Sequence, residues 1–226
     1  MPRPPVSQPP PAGGDVPEEP GEDAADLPGV GPHPQPWPDD PRLDPQLLAE
    51  GDRRNVVDRY RYWRLEAVVA DLDTRRAPLH VAIQNFQHDF NIGSVVRTAN
   101  AFNVGGVHVV GRRRWNRRGA MVTDRYLHLH HHADAEELRA WADRSGHVLV
   151  GVDNIPGSVP LEGRRLPERC CLVLGSEGPG LNADMVRACD LVVSITQYGS
   201  TRSLNAGAAA AIAMYAWSSS WRPAPG

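Results

Sequence analysis

The chain has 226 residues and a formal net charge of −3, and all 24 of its basic residues are arginine. Without lysine it can hold no Schiff-base or pyridoxal-phosphate site and no Walker A phosphate loop. Three cysteines without disulfide or zinc spacing, no apolar run near the roughly 20 residues of a membrane span, and a proline-rich acidic start unlike a signal peptide together imply a soluble cytoplasmic protein.

Residues 1–50 carry two arginines against ten acidic residues, a net of −8, and 15 of the 22 prolines. Such a segment buries too little apolar surface to offset its ordering entropy, which predicts a disordered acidic tail. The rest holds 22 basic against 17 acidic residues, a mildly basic body compatible with a polyanionic partner. From Asn55 the spacing of Val56, Tyr60, Trp63, Val68 and Leu72 predicts one amphipathic helix to about Arg75. It makes 51–78 a helical extension packed on the domain.

Alternation follows. Strands are predicted at 79–85, 107–110, 147–152, 171–174 and 191–195, and helices at 92–102, 134–144 and 183–188. Fully apolar strands separated by helices indicate an α/β domain on a parallel sheet. A last helix is predicted to start near Ser203, with Ser203 as its N-cap. Seven of its residues from Ala206 to Ala216 are alanine. An alanine surface stabilises a fold chiefly by close backbone approach, so this helix is expected to be tightly enclosed. Residues 220–226 are read as a flexible end.

Ligands of parallel sheets sit outside the carboxyl ends of the strands. The segments there are QHDFNIGSVVRTANAF after the first strand, GRRRWNRRGA after the second, GSEGPGLN after 171–174 and TQYGSTRSLN after 191–195. GSEGPG departs from the dinucleotide pattern G-x-G-x-x-G and places Glu177 where a pyrophosphate would be repelled. Arg112, Arg113, Arg114, Arg117 and Arg118 around Trp115 suit RNA, because arginines displace counterions from phosphates and an indole stacks on an unpaired base. His128, His130, His131 and His132 lack acidic or cysteine co-ligands and read as a polar strand or loop beside that surface, with no metal.

Three segments together resemble one family: NIGSVVRTANAF (91–102), LVLGSEGPGL (172–181) and ITQYGSTRSLN (195–205). They are similar, in order, to the three motifs of the SpoU/TrmH branch of the SPOUT methyltransferases. The resemblance implies a domain over 79–219 with a parallel sheet and a C-terminal trefoil knot, working as a homodimer. It also implies S-adenosyl-L-methionine-dependent methylation of ribose 2′-hydroxyls in tRNA or rRNA, without a metal. By motif position, Asn91, Arg97, Glu177, Ser203 and Asn205 would be the catalytic residues. Backbone around Gly175, Ile195 and Leu204 would hold the methyl donor. The family usually has proline where this chain has Thr196, a change expected to loosen the loop, since threonine fixes φ less than proline does.

The form Gln197-x-Gly199-x-x-Arg202-Ser203-Leu204-Asn205 leans toward the members that methylate guanosine 18 of tRNA. The resemblance gives Arg97 the task of stabilising the developing alkoxide; a guanidinium whose pKa exceeds 12 is not a literal base. The competing readings are an rRNA 2′-O-methyltransferase and an RNA-binding SPOUT protein without activity. A dinucleotide-dependent oxidoreductase lacks its glycine fingerprint.

Overall fold

The computed structural model describes residues 29–85, 91–176 and 178–222. Seven strands form one all-parallel sheet: β1 (Ala77–Asn85), β2 (Val104–Gly111), β3 (Leu129–His132), β4 (Val148–Val152), β5 (Val159–Pro160), β6 (Cys170–Leu174) and β7 (Leu191–Ser194). Their spatial order is β3-β2-β1-β6-β4-β7-β5. β1, β4 and β6 are apolar because both of their faces are covered. One face carries α3 (Asn91–Ala101) and α6 (Ala206–Trp221), packed on Leu79, Val81 and Ile83. The other carries α4 (Ala135–Ser145) and α5 (Ala183–Ala188), packed on Ala82, Leu149 and Val173.

Within the sheet domain the predicted elements therefore form close to their expected bounds; the histidine run, read as a polar strand or loop, is a strand, and β5 was missed. β5 is two residues long and contains Pro160, which only an edge position tolerates. β3 is the histidine run, placed at the opposite edge.

Residues 29–50, expected as part of the tail, are folded. Val30 and Asp52 exchange two backbone hydrogen bonds (3.0 and 2.9 Å). Asp44 caps α1 (Pro45–Glu50) by accepting from the Gln46 amide at 2.9 Å, and Leu48 is buried. This segment's partners are residues 52–64, so its own composition underestimates what it can bury. Residues 1–28 lie outside the described residues.

The single helix expected from Asn55 to Arg75 is not formed. A 3₁₀ turn at Asp58–Tyr60 is followed by a left-handed Tyr62 (φ 63°) and then α2 (Leu65–Asp73). Asp52, fully buried, dictates the break: its carboxylate accepts from the Arg54 and Tyr62 amides (both 3.0 Å). The apolar residues that suggested one face still meet, around Tyr60, Val68 and Tyr126.

α6 is enclosed on one side only. Gly207, Ala210, Ala213, Met214 and Trp217 are buried, whereas Ile212 and Tyr215 are 41% and 67% exposed. Its end is anchored, not flexible: the Trp217 and Trp221 indoles donate to carbonyls of residues 166–168 (3.0–3.1 Å), and Arg222 donates to Phe102 O at 3.2 Å. Residues 223–226 lie outside the described residues.

Candidate active site

The carboxyl ends of β6, β4 and β7 open into a cavity of about 460 Å³. Its wall after β6 is a tight loop in which Ser176 and Gly180 exchange two backbone hydrogen bonds (3.1 and 3.0 Å). Gly175 makes that loop possible: a Cβ there would stand 2.1 Å from the Gly180 carbonyl carbon and 2.4 Å from Leu181 N, backbone atoms with no room to yield. The result is a bare peptide wall against which a flat group can lie.

Asp153, just past β4, fixes this wall from behind. Its carboxylate accepts from the Leu181 and Asn154 amides, both at 2.7 Å. Opposite stand Ile195 and Gln197, after β7, and Arg202–Ala206, which lead into α6. Gln197 Oε1 is buried and has no hydrogen-bond partner among the described residues. Such an acceptor suits a ligand that brings a donor.

The loop after β7 meets the start of α3 through two amides. Asn205 Nδ2 donates to Asn91 Oδ1 at 2.8 Å, while Asn205 Oδ1 accepts from the Gly207 and Ala208 amides (3.0 and 3.2 Å). Asn205, not Ser203, is therefore the N-cap of α6. Ser203 and Leu204 lie in the cavity rim, with Ser203 exposed. Arg97 is exposed on α3, two turns from Asn91, and does not line the cavity. Glu177 lies outside the described residues.

The arginine run leaves the end of β2. Arg112, Arg113 and Arg114 are exposed, and buried Asn85 holds their backbone: its side-chain amide donates to the carbonyls of Arg112 and Arg114, the latter at 3.0 Å. Trp115 is half-buried against the core, so its indole is only partly available for stacking. Arg117 lies 5.6 Å from the Trp115 ring centroid and pairs with buried Asp124 at 3.3 Å, leaving its guanidinium mostly exposed. The run then turns under α3, where a Cβ on Gly93 would reach 2.7 Å from Gly119 Cα and Ala120 N. The Arg118 side chain lies outside the described residues.

The SpoU rRNA methylase family model matches residues 78–215. The chain belongs to this family. An uncharacterized tRNA/rRNA methyltransferase of Mycobacterium ulcerans is 32% identical over 167 residues, 66% of this chain. The chain spans about half, 49%, of that relative's length. A tRNA (guanosine(18)-2′-O)-methyltransferase of Borreliella burgdorferi is 27% identical, covering 67% of this chain and 70% of that protein. Among solved structures, the SpoU methyltransferase AviRb from Streptomyces viridochromogenes, in complex with the cofactor AdoMet, superposes with a TM-score of 0.56 and 28% identity, covering 65% of this chain and 62% of that one.

His132, His108 and His80 link through ring nitrogens 2.8 and 2.9 Å apart, between the sheet and α4. Trp141 covers the row, and His130 and His147 stack at its sides. Burial, then the neighbouring imidazoles, pushes His80 down to about 3 and His108 further still. His80 and His108 are thus neutral and inside; of the histidines expected on a polar strand or loop, His132 joins them, His131 is half-buried, and His128 and His130 stay exposed. Among the described residues no group of His, Cys, Asp or Glu side chains is placed to hold a metal. Burial pushes the Cys170 and Cys189 thiols up to about 12, which disfavours the nucleophilic thiolate.

Two residues that shape the candidate site, Asp153 and Asn85, were missed by sequence reasoning, and Gln197 was noted only as part of the third motif. Asp153 carried a signal, an acidic residue directly after a buried apolar run, at the one central strand end left unread.

Proposed function

We propose that this SpoU-family chain transfers a methyl group from S-adenosylmethionine to a ribose 2′-hydroxyl of structured RNA, with guanosine 18 in the D-loop of tRNA as the first candidate. The observation that carries the reading is the Asn205–Asn91 hydrogen bond. It ties the third motif, which rims the glycine-walled cavity, to the helix that bears Arg97.

The cavity fits the donor. The peptide wall at Gly175 accepts a flat base, Gln197 Oε1 accepts a donor N–H or O–H, and Arg202 at the rim suits a carboxylate. The bound donor would supply an electrophilic methyl on sulfonium. The chain must then orient the 2′-hydroxyl and stabilise its developing charge, which exposed Arg97 is free to do with a fork shared between the 2′-oxygen and a phosphate. Arg112–Arg114 would hold flanking phosphates on the neighbouring loop.

The same reading has the segment leading into α6 threaded as a trefoil knot, and Ile212 and Tyr215 covered by a second copy of the chain in a homodimer. Ribose-methylation maps of total RNA from cells with and without the protein test the substrate. One lost mark at tRNA position 18 is expected. A mark lost from rRNA instead would move the substrate and keep the chemistry, whereas no lost mark would favour an RNA-binding protein without activity.

A further inference from the structure

Resting on the reading of the cavity as the methyl-donor site, we propose that Glu162 is a positioning residue for it, its carboxylate taking the place of the proline that usually stiffens the third motif. Glu162 Oε1 accepts from the Thr196 amide at 2.7 Å, a bond that a proline at 196 could not make. Thr196 stands between Ile195 and Gln197, which both line the cavity.

The contact extends a ladder. β5 runs parallel to β7, pairing Val159 with Val193 and Pro160 with Ser194. The Leu161 amide then donates to Ser194 O at 2.8 Å, and Leu161 is buried. Past this point the two chains diverge, and the Glu162 side chain captures the next free amide of the β7 chain. Ile195 has the cavity on one side and the loop 161–165 on the other, so this bond acts on the cavity wall itself. The geometry also favours the ionised acid: its own backbone N–H, then the Thr196 amide, holds the Glu162 carboxyl below its usual range.

A loop held in its binding conformation does not have to be ordered when the ligand arrives. Losing the bond should therefore cost ligand affinity and protection of residues 195–197, while leaving the sheet unaffected. The test uses Glu162→Ala, Glu162→Gln, Thr196→Pro and the double variant Glu162→Ala/Thr196→Pro. S-adenosylhomocysteine affinity is measured by calorimetry, and amide exchange at 195–197 by mass spectrometry without ligand.

Glu162→Ala should weaken binding by about two- to fivefold, because the bond it removes is exposed to solvent, and speed exchange at 195–197. Glu162→Gln, which keeps an acceptor oxygen, should recover most of both. Thr196→Pro should restore affinity in the Glu162→Ala background. Wild-type affinity and exchange in Glu162→Ala, or a double variant as weak as Glu162→Ala alone, would overturn the proposal. A wild-type chain that binds no S-adenosylhomocysteine refutes the donor-site reading instead, and the exchange data then judge the Glu162–Thr196 contact alone.

Discussion

Acidification should unfold this protein through its histidine row. His80 faces His108, His147 and Trp141, with Arg169 nearby; His108 faces His80, His130, His132 and Trp141. Among the described residues no carboxylate contacts either ring, so a proton on either would be buried among imidazoles and arginine. Burial, then the neighbouring imidazoles, holds His80 at about 3 and His108 further down, against the ordinary histidine value of 6.5. The unfolded chain therefore binds the extra protons. The row's stabilising contribution is complete above pH 6.5 and is lost as pH falls toward the folded values. Between pH 7 and pH 5 each group costs about 2 kcal/mol, so the pair costs about 4 kcal/mol. For a domain of this size that lowers the melting temperature by roughly 8–16 °C. Thermal unfolding followed by circular dichroism at half-unit pH steps measures this directly. His108→Gln keeps a polar side chain without a titrating group and should reduce the pH slope, the remainder coming from His80 and from His130, His132 and His147, which burial also shifts down. A melting temperature that stays flat from pH 7 to pH 5, or a slope unchanged in His108→Gln, would refute the reasoning.

Gly175→Ala should displace the loop 175–181, cost about 1–3 kcal/mol of stability and abolish detectable S-adenosylhomocysteine binding; unchanged affinity would show that the glycine wall is not the donor's. Arg97→Ala should reduce methyl transfer by about 10²–10³-fold with donor affinity intact, because Arg97 lies outside the cavity wall; kinetics with calorimetry separate the two. Replacing Arg112, Arg113 and Arg114 by alanine should weaken binding to every RNA tested and reduce the log–log salt slope by about 0.7–0.9 per lost phosphate contact, read by filter binding across a salt series.

The parts of the fold visible in the sequence were those set by local physics. Val81, Ile83, Leu172 and Val173 declare buried parallel strands because both faces of the sheet are covered. Glycine and asparagine at strand ends pointed to loops that line the cavity, and at Gly175 the backbone of Gly180 and Leu181 leaves no room for a Cβ. The parts that stayed hidden depend on partners far away in the chain. Asp153 matters because Leu181, 28 residues on, brings its amide there. Asn85 matters because β2 ends beside it and delivers the arginine run. The segment 29–50 looked disordered because the backbone that pairs with it belongs to residues 52–64. The histidine run looked polar and is mostly so, yet strand register beside β2 and Trp141 bury its last member, His132.

The account stands most directly on methyl transfer itself. Purified full-length chain, S-adenosylmethionine and unmodified tRNA are incubated in chelator, and the digested nucleosides are analysed by mass spectrometry. The account predicts one 2′-O-methylated nucleoside, mapping to position 18 and nearly absent with Arg97→Ala. Donor binding without any ribose-methylated nucleoside, from tRNA or from rRNA, would contradict it.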